Sequence, residues 1–112
     1  MDPNYVPDRG DVVWINFSPQ VGHEQYGSRP ALIISPASYN GKVGLSLLCP
    51  ITNQIKGYPF EVGIPSGHEV EGVILSDQVK SLDWRKRRAK RKGRVSAAEL
   101  EEVRAKVRAL IG

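Results

Sequence analysis

Short apolar runs, each followed by a turn rich in glycine, proline or asparagine, restrict the fold of this sequence more than any other feature. In the first run, residues 11–17, the side chains of Val13, Ile15 and Phe17 fall on one side, which is typical of a strand with one buried face. Strands at this spacing, joined by such turns, predict a small barrel or a strongly bent antiparallel sheet. The other predicted strands are residues 31–35, 45–52, 60–64 and 73–79.

The carboxyl-terminal part of the chain changes to a helical period. Ser96 and Glu99 form a capping-box pattern, and apolar residues then recur at helical spacing. Because the polar face mixes both signs of charge, this helix is expected to pack on the sheet or on a partner subunit rather than on a membrane. A helical turn is predicted at residues 36–39 and a turn at Asn40-Gly41. The apolar positions of the helix are Leu100, Val103, Val107, Leu110 and Ile111.

Length and composition predict one globular domain, residues 1–112, with 40% hydrophobic and 25% charged residues. Cys49 is the single cysteine, so no disulfide can form within the chain and metal sites built on paired cysteines are excluded. No apolar run reaches the roughly 18 residues that a membrane span needs, and no signal peptide is visible. A cytoplasmic location is therefore expected.

The net charge of +4 comes from one part of the chain. Eight of the 16 lysines and arginines lie in residues 85–94, which contain no acid, so the remainder has eight basic residues against 12 acidic ones and is net −4. Such a strip suits RNA or another polyanion, because neutralised phosphates release counterions. An acidic protein segment would fit it too, and so would a solvated surface strand or loop that only aids solubility.

The loop between the first two strands, residues 22–30, is the expected place for chemistry. It holds the imidazole of His23, the carboxylate of Glu24 and the guanidinium of Arg29 within seven residues. Loops on a rigid strand scaffold are where binding groups collect. Without further support, Glu24 and Arg29 could equally form an exposed salt bridge worth at most about 1 kcal/mol.

Four sequence blocks in order resemble the MazF toxins of bacterial toxin–antitoxin modules, and the resemblance covers nearly the whole chain. The blocks are G-x-E-Q-x-G-x-R-P at residues 22–30, Pro50-Ile51-Thr52, K-G-Y-P-F-E-V at 56–62, and D-Q-V-K-S at 77–81 with Trp84. The resemblance implies an SH3-like, CcdB-like barrel of five to seven strands with a terminal helix. It also implies a homodimeric endoribonuclease that cuts single-stranded RNA, chiefly messenger RNA, without a metal or other cofactor. A MazE-like antitoxin with an acidic, disordered tail is the expected inhibitor.

The resemblance implies that Arg29, Thr52 and Glu24 are catalytic. Attack by a ribose 2′-hydroxyl, which leaves a 2′,3′-cyclic phosphate and a 5′-hydroxyl, needs a proton acceptor, a cation for the phosphoryl oxygens and a donor for the leaving oxygen. Arg29 presents a fixed fork of donors that matches phosphate oxygens. Thr52 can donate a hydroxyl hydrogen bond. Glu24 is the candidate base or an acceptor that orients the RNA, with Asp77 as the alternative base.

Other residues are expected to bind RNA. Gln78 can read a base edge, Lys56 and Lys80 can meet phosphates, and an aromatic side chain can stack on a base. For Trp14, packing within the protein is the stronger alternative. The expected RNA-binding residues are His23, Gln25, Tyr26, Ser28, Lys56, Asp77, Gln78, Lys80 and Trp14.

Two other functions remain open at the level of sequence. The first is a protein-binding toxin similar to CcdB that acts on DNA gyrase, with the helix end and the basic strip as its interface. The second is a non-catalytic RNA-binding barrel that uses residues 85–94 and would leave RNA uncut.

Overall fold

The computed structural model describes residues 4–17, 28–65 and 69–112, and it contains seven strands and two helices in these ranges. Every strand pair is antiparallel. The elements in chain order are β1 (Asp11–Asn16), β2 (Ser28–Ile33), α1 (Ala37–Val43), β3 (Ser46–Thr52), β4 (Glu61–Ile64), β5 (Gly72–Leu75), β6 (Lys80–Leu82), β7 (Lys90–Arg94) and α2 (Ala97–Ile111).

The strands form one curled sheet in the order β4-β5-β3-β2-β1-β7, and β6 also pairs with β3. Strand β3 is the point where the sheet bends. One of its edges pairs with β2, while the other pairs with β6 at Ser46–Leu48 and with β5 at Ile51 and Thr52. The two partners on this second edge belong to different parts of the curled sheet, so the end of β3 lies where they diverge.

Side-chain alternation along β1 supplies two apolar clusters on opposite faces of the sheet. Val13 and Ile15, followed by Phe17, pack with Trp84 in one cluster, as the alternation predicted. Val12 belongs to the other cluster, which β4, β5 and α2 cover. Both faces of the central strands are therefore buried, which explains why residues such as Leu32 and Ile33 are fully enclosed.

Helix α2 begins with the predicted capping box. The Ser96 side chain accepts from the backbone N–H of Glu99, and the Glu99 side chain accepts from the backbone N–H of Ser96. Val103 is fully buried, and Leu100 and Val107 pack against the same cluster. The last two apolar positions of the helix are not buried in this way: Leu110 is 50% exposed and Ile111 is 77% exposed.

Two local predictions were wrong. Asn40-Gly41 is not a turn but lies inside α1, because the buried Asn40 amide donates to Pro7 O and Ser35 O and so favours the helix. The turn comes at Gly44, whose φ is +84°. The predicted strand 73–79 ends at Leu75, because the chain turns there with the N–H of Gln78 donating to Leu75 O.

Candidate active site

A groove of about 320 Å³ lies where the start of β2 and the end of β3 meet the segments that follow β3 and β5. Its walls combine three cationic side chains with hydroxyl, amide and apolar groups. The lining residues are Phe17, Arg29, Pro50, Ile51, Thr52, Gln54, Lys56, Tyr58, Glu61, Leu75, Gln78 and Lys80.

Arg29 is the second residue of β2 and pairs with Ile15 of β1. Pro30 follows it, and a residue before proline favours the extended conformation that a strand requires. The side chain is exposed. In the part of the chain that the structure describes, no carboxylate lies within ion-pair distance of it. Its five N–H donors can therefore serve an anion in the groove.

Thr52, the last residue of β3, is half-buried, and its hydroxyl already has one partner. The backbone N–H of Gln54 donates to Oγ1 over 3.1 Å. Because this bond uses the oxygen as an acceptor, the hydroxyl hydrogen stays available to a ligand. Gly72 opposes this strand end so closely that a Cβ there would overlap Thr52 O, and its φ of +117° also favours glycine.

The loop after β3 brings Lys56 to the groove and is held by one carboxylate. Glu61 accepts the backbone N–H groups of Lys56 and Gly57, each over 2.9 Å. The φ of Gly57 is +83°, a conformation that few other residues adopt. Lys106 of α2 donates to Pro59 O over 2.7 Å. The loop is therefore fixed from both sides, and the Glu61 oxygens are occupied within the protein.

Tyr58 connects this loop to the segment after β5. Its hydroxyl donates to Asp77 Oδ1 over 3.0 Å, and the Gln78 side chain donates to the same hydroxyl. Burial, and then the bond to Asp77, raises the pKa of Tyr58. The phenol thus stays protonated at neutral pH, and it links the loop after β3 to Asp77 and Gln78.

The structure brings five of the predicted site residues together and leaves others apart. Arg29, Thr52, Lys56, Gln78 and Lys80 line the groove. Their catalytic and RNA-binding roles stay predictions, because the geometry gives only their positions.

Three other predicted residues do not line the groove. Ser28 lies beside Arg29 at the start of β2, and Asp77 bonds Tyr58. Trp14 faces the opposite side of β1 from Ile15 and pairs with Pro30 and Lys90. The predictions for Glu24, His23, Gln25 and Tyr26 lie outside the described residues.

The sequence-based reasoning did not assign Gln54, Tyr58 or Glu61 to the site. Tyr58 and Glu61 lie within the K-G-Y-P-F-E-V block, so their place in a family motif could have indicated that they belong to the site. Their contacts were not visible in the sequence, because they depend on hydrogen bonds across the loop and to Asp77.

No group of three histidine, cysteine, aspartate or glutamate side chains in ranges 4–17, 28–65 and 69–112 is placed to hold a metal ion. Within the same ranges, no helix is long and apolar enough to cross a membrane.

Comparison with known proteins identifies the family of this chain. Residues 8–111 match the family described as PemK-like, MazF-like toxin of type II toxin–antitoxin system. The chain is 53% identical to the endoribonuclease toxin MazF of Escherichia coli (strain K12) over 112 residues, 100% of both chains. It is 36% identical over 110 residues to the endoribonuclease toxin ChpB of that strain, covering 93% of each. The chain belongs to the PemK/MazF-like toxin family.

Solved structures agree with this assignment. A crystal structure of MazF from Deinococcus radiodurans superposes with a TM-score of 0.90 at 55% identity, covering 97% of this chain and 99% of that one. A MazE–MazF structure from the same organism gives 0.91 at 55% identity, covering 97% and 98%. The predicted fold, a mainly β, curled antiparallel sheet with a carboxyl-terminal helix, is confirmed. Since the relatives named above are endoribonucleases, they favour the nuclease over the gyrase-binding alternative.

Proposed function

We propose that this chain, an endoribonuclease toxin of the MazF-like family, cuts single-stranded RNA, chiefly messenger RNA, at short sequences without a metal ion. One observation carries the proposal: the groove gathers Arg29, Lys56 and Lys80 beside the Thr52 hydroxyl. Negative charge grows on the phosphoryl oxygens of a phosphodiester under attack, and donors already fixed at that position stabilise it. The groove therefore suits a phosphodiester better than a neutral ligand.

The reaction follows from these groups. The ribose 2′-oxygen loses its proton to a base and attacks the adjacent phosphorus. The bond from phosphorus to the 5′-oxygen of the next nucleotide breaks, and this oxygen takes up a proton from solvent. This leaves a 2′,3′-cyclic phosphate and a 5′-hydroxyl. The Arg29 guanidinium holds the non-bridging oxygens in its fork, and the Thr52 hydroxyl donates a further bond to the same phosphate.

A base must take the proton of the attacking hydroxyl, and we assign this role to Glu24. Two carboxylates near the groove are already engaged, because both Glu61 oxygens accept backbone N–H groups and Asp77 accepts the Tyr58 hydroxyl. Asp77 also lies outside the groove lining. These contacts favour Glu24 over the alternative base, Asp77.

Recognition of RNA is assigned to residues around the same groove. Lys56 and Lys80 contact phosphates, and the Gln78 amide reads a base edge. Ser28 adjoins Arg29 and extends this surface. His23, Gln25 and Tyr26 are proposed as further RNA contacts from their place beside Glu24 in the sequence.

The partners follow from the family and from the surface. MazF of Deinococcus radiodurans has been crystallised with MazE, so we propose a MazE-like antitoxin with an acidic tail as the inhibitor of this chain. We propose a homodimer as well, and the exposed Leu110 and Ile111 at the end of α2 offer it an apolar contact. We further propose that residues 1–112 act as a single domain in the cytoplasm.

Incubation of the purified protein with single-stranded RNA in excess EDTA tests the proposal. Fragments with 2′,3′-cyclic phosphate ends and 5′-hydroxyl ends are expected, and sequencing of the ends gives the cleavage site. Arg29→Ala protein, purified in the same way, is the control for contaminating ribonucleases. RNA that stays intact across many sequences, or cleavage that requires a divalent metal ion, would contradict the proposal.

A further inference from the structure

The basic edge, defined here as residues 85–94, is a charged surface that the proposed reaction does not use. It comprises strand β7 and the turn before it, and it carries eight of the chain's 16 lysines and arginines. The rest of the chain is net negative. Asp83, the acid just before the edge, directs its carboxylate to the backbone N–H of Lys86 over 3.0 Å. The basic edge is thus a concentrated positive surface on an otherwise acidic protein.

Half of these cations already have partners within the fold. Arg91 and Arg94 contact the buried Asp11 carboxylate, with N–O distances of 3.6 and 2.8 Å. Arg85 lies over the Trp84 ring, and Arg87 donates to Asn16 O. These contacts hold the turn and the strand against β1. They therefore belong to the structure rather than to a ligand site.

The other four cations are Lys86, Arg88, Lys90 and Lys92. In ranges 4–17, 28–65 and 69–112, no carboxylate lies within ion-pair distance of any of them. Arg88 also has a φ of +57°, a conformation that costs a residue with a side chain about 1 kcal/mol and that glycine would adopt freely. An exposed arginine kept in such a conformation points to a use for its charge, since strained residues concentrate at functional sites.

Two of these cations lie beside an aromatic ring. Lys90 pairs with Trp14 across the β1–β7 ladder, and a register shift in that ladder places Lys92 over the same ring at 5.9 Å from its centroid. Trp14 is half-buried, so part of the ring faces solvent. An aromatic surface between two cations matches a nucleic acid strand, which presents base faces and phosphates in turn.

The turn of the basic edge lies close to the start of β2, which contributes Arg29 to the groove. The N–H of Asn16 donates to Arg87 O over 2.9 Å, and Asn16 pairs with Ser28, the neighbour of Arg29. Two strand spacings, on the order of 10 Å, thus separate the turn from the start of β2. RNA that leaves the groove reaches the turn of the basic edge within a few nucleotides, and it reaches Trp14 by passing around this edge of the sheet, because Trp14 and Arg29 face opposite sides.

We propose that the basic edge is a second RNA-binding surface, which holds the part of the substrate outside the groove through Lys86, Arg88, Lys90 and Lys92 and through stacking on Trp14. The proposal rests on the ribonuclease function proposed above. It makes affinity depend on RNA length beyond the cleaved site. Stacking favours RNA over an acidic peptide, because a peptide of aspartate and glutamate offers no base to the Trp14 ring.

A pair of matched variants tests the proposal. In the first, Lys86, Arg88, Lys90 and Lys92 are all changed to glutamine. In the second, the charges are kept by Lys86→Arg, Arg88→Lys, Lys90→Arg and Lys92→Arg. Each protein is given a short RNA that spans only the cleaved sequence and a long RNA with the same sequence at its centre, and binding is measured by fluorescence anisotropy over a salt series. Thermal unfolding checks that each variant is folded.

The neutral variant should bind and cut the short RNA like the wild type but lose about tenfold in affinity for the long RNA at low salt. Its slope of log affinity against log salt should fall by about 0.7 for each cation removed. The charge-retaining variant should keep the wild-type slope. A wild-type protein that binds long RNA more tightly but cuts neither RNA would contradict the nuclease function and leave the binding surface standing.

Two results would overturn the inference. The first is an equal affinity of the neutral variant and the wild type for the long RNA. The second is a neutral variant that loses more affinity for poly-glutamate than for long RNA, which would make the basic edge a surface for an acidic protein instead. Change of Trp14 to leucine should also reduce affinity for the long RNA while the salt slope stays unchanged, since stacking carries no counterion release.

Discussion

Cationic side chains lie in two contrasting clusters of this fold, one around Asp11 with Arg91 and Arg94, and one in the groove with Arg29, Lys56 and Lys80. Asp11 is buried, and its carboxylate accepts from the Tyr5 hydroxyl over 2.7 Å, from the backbone N–H of Asp8 over 3.0 Å and from Arg94 over 2.8 Å. Burial, and then the bond to Asp11, raises the pKa of Tyr5, so this phenol remains a donor. In the groove, by contrast, Arg29 has no carboxylate partner among the described residues.

The difference separates structural from functional charge. Around Asp11 each donor meets an acceptor inside the protein, so Arg94 acts as part of the fold and its second nitrogen donates to Arg9 O. In the groove the Arg29 guanidinium has no carboxylate partner among the described residues, and the Thr52 hydroxyl keeps its hydrogen for a ligand. Residue type alone does not distinguish these cases, whereas the partner of each group does.

Loss of Arg29 should have the largest effect on activity and a small effect on stability. Arg29→Ala should lower the rate of RNA cleavage on the order of 10²-fold or more, because it removes a donor to the phosphoryl oxygens in the transition state. The melting temperature should stay close to the wild-type value, since the side chain is exposed. Single-turnover cleavage and thermal unfolding measure the two quantities.

Arg29→Lys is the matched variant, because it keeps the charge but loses the planar fork of donors. Its rate should lie between those of the wild type and Arg29→Ala. If Arg29→Ala cut RNA at the wild-type rate, the cations of the groove would not differ in function from those around Asp11.

Loss of the Asp11 carboxylate should have a large effect on stability and a small effect on activity. Asp11→Asn should lower the free energy of unfolding by about 2–3 kcal/mol, because its amide group would face the donors of Tyr5 and Arg94. Cleavage by the remaining folded protein, measured well below the melting temperature, should be close to wild type. Urea unfolding measures the stability, and a cleavage defect like that of Arg29→Ala would show that the Asp11 cluster is not purely structural.

Glu61 combines features of both clusters, because it lines the groove and yet its oxygens accept hydrogen bonds from within the protein. Glu61→Gln can accept only one of the two backbone N–H groups, so the Lys56 loop should loosen. We expect KM to rise several-fold with little change in kcat, and a loss of stability of about 1 kcal/mol. Faster hydrogen exchange at the Lys56 and Gly57 amides would locate the change.

The control for Glu61 is Glu102→Gln, an exposed carboxylate on α2 that makes the same change in net charge. It should leave KM unchanged. A kcat that falls in Glu61→Gln at constant KM would instead place this carboxylate in the chemical step.

Much of the fold could be predicted from local patterns. Alternation along β1 and the capping box of α2 depend on neighbours in sequence, so both predictions are confirmed. Only the first turn of α1 was predicted, at residues 36–39. Its continuation to Val43 was not, since it depends on the Asn40 amide reaching Pro7 O, 33 residues away. Strand β6 was not predicted as a strand of its own, because the turn after Leu75 has no glycine or proline to mark where the predicted strand 73–79 ends.

Apart from Arg29, which the residue types of the loop 22–30 already indicated, the candidate site was predictable only through the family motif. Lys56, Gln78 and Lys80 come from segments far apart in sequence, and no local pattern predicts that they share a groove. The roles of Tyr58 and Glu61 were missed because they arise from hydrogen bonds formed only in the folded chain. The single-domain organisation of residues 1–112 and the chemical roles of the site residues stay predictions.

The smallest expected effect concerns Asp8, a carboxylate that is half-buried and serves the fold. Its Oδ1 accepts from the Ala37 N–H at the start of α1, where Pro36 provides no side-chain cap, and also from the Arg9 N–H. The bond from Ala37 contributes most to lowering the pKa of Asp8 below its ordinary value of 3.8. A lowered pKa means that ionised Asp8 stabilises the fold above about pH 4 and that this contribution is lost as the pH falls through the folded-state pKa.

Asp8→Asn keeps an acceptor for Ala37 but cannot ionise, so it isolates the charge. At pH 7 the wild type should be more stable than the variant by a few tenths of a kcal/mol, as expected for a negative charge near a helix amino terminus. The difference should shrink as the pH falls below about 4, because protonation makes the wild-type side chain neutral as well. Urea unfolding of both proteins from pH 7 to pH 3 measures this, and a difference that grows at low pH would reverse the sign and contradict the assignment of Asp8 as a stabilising charge.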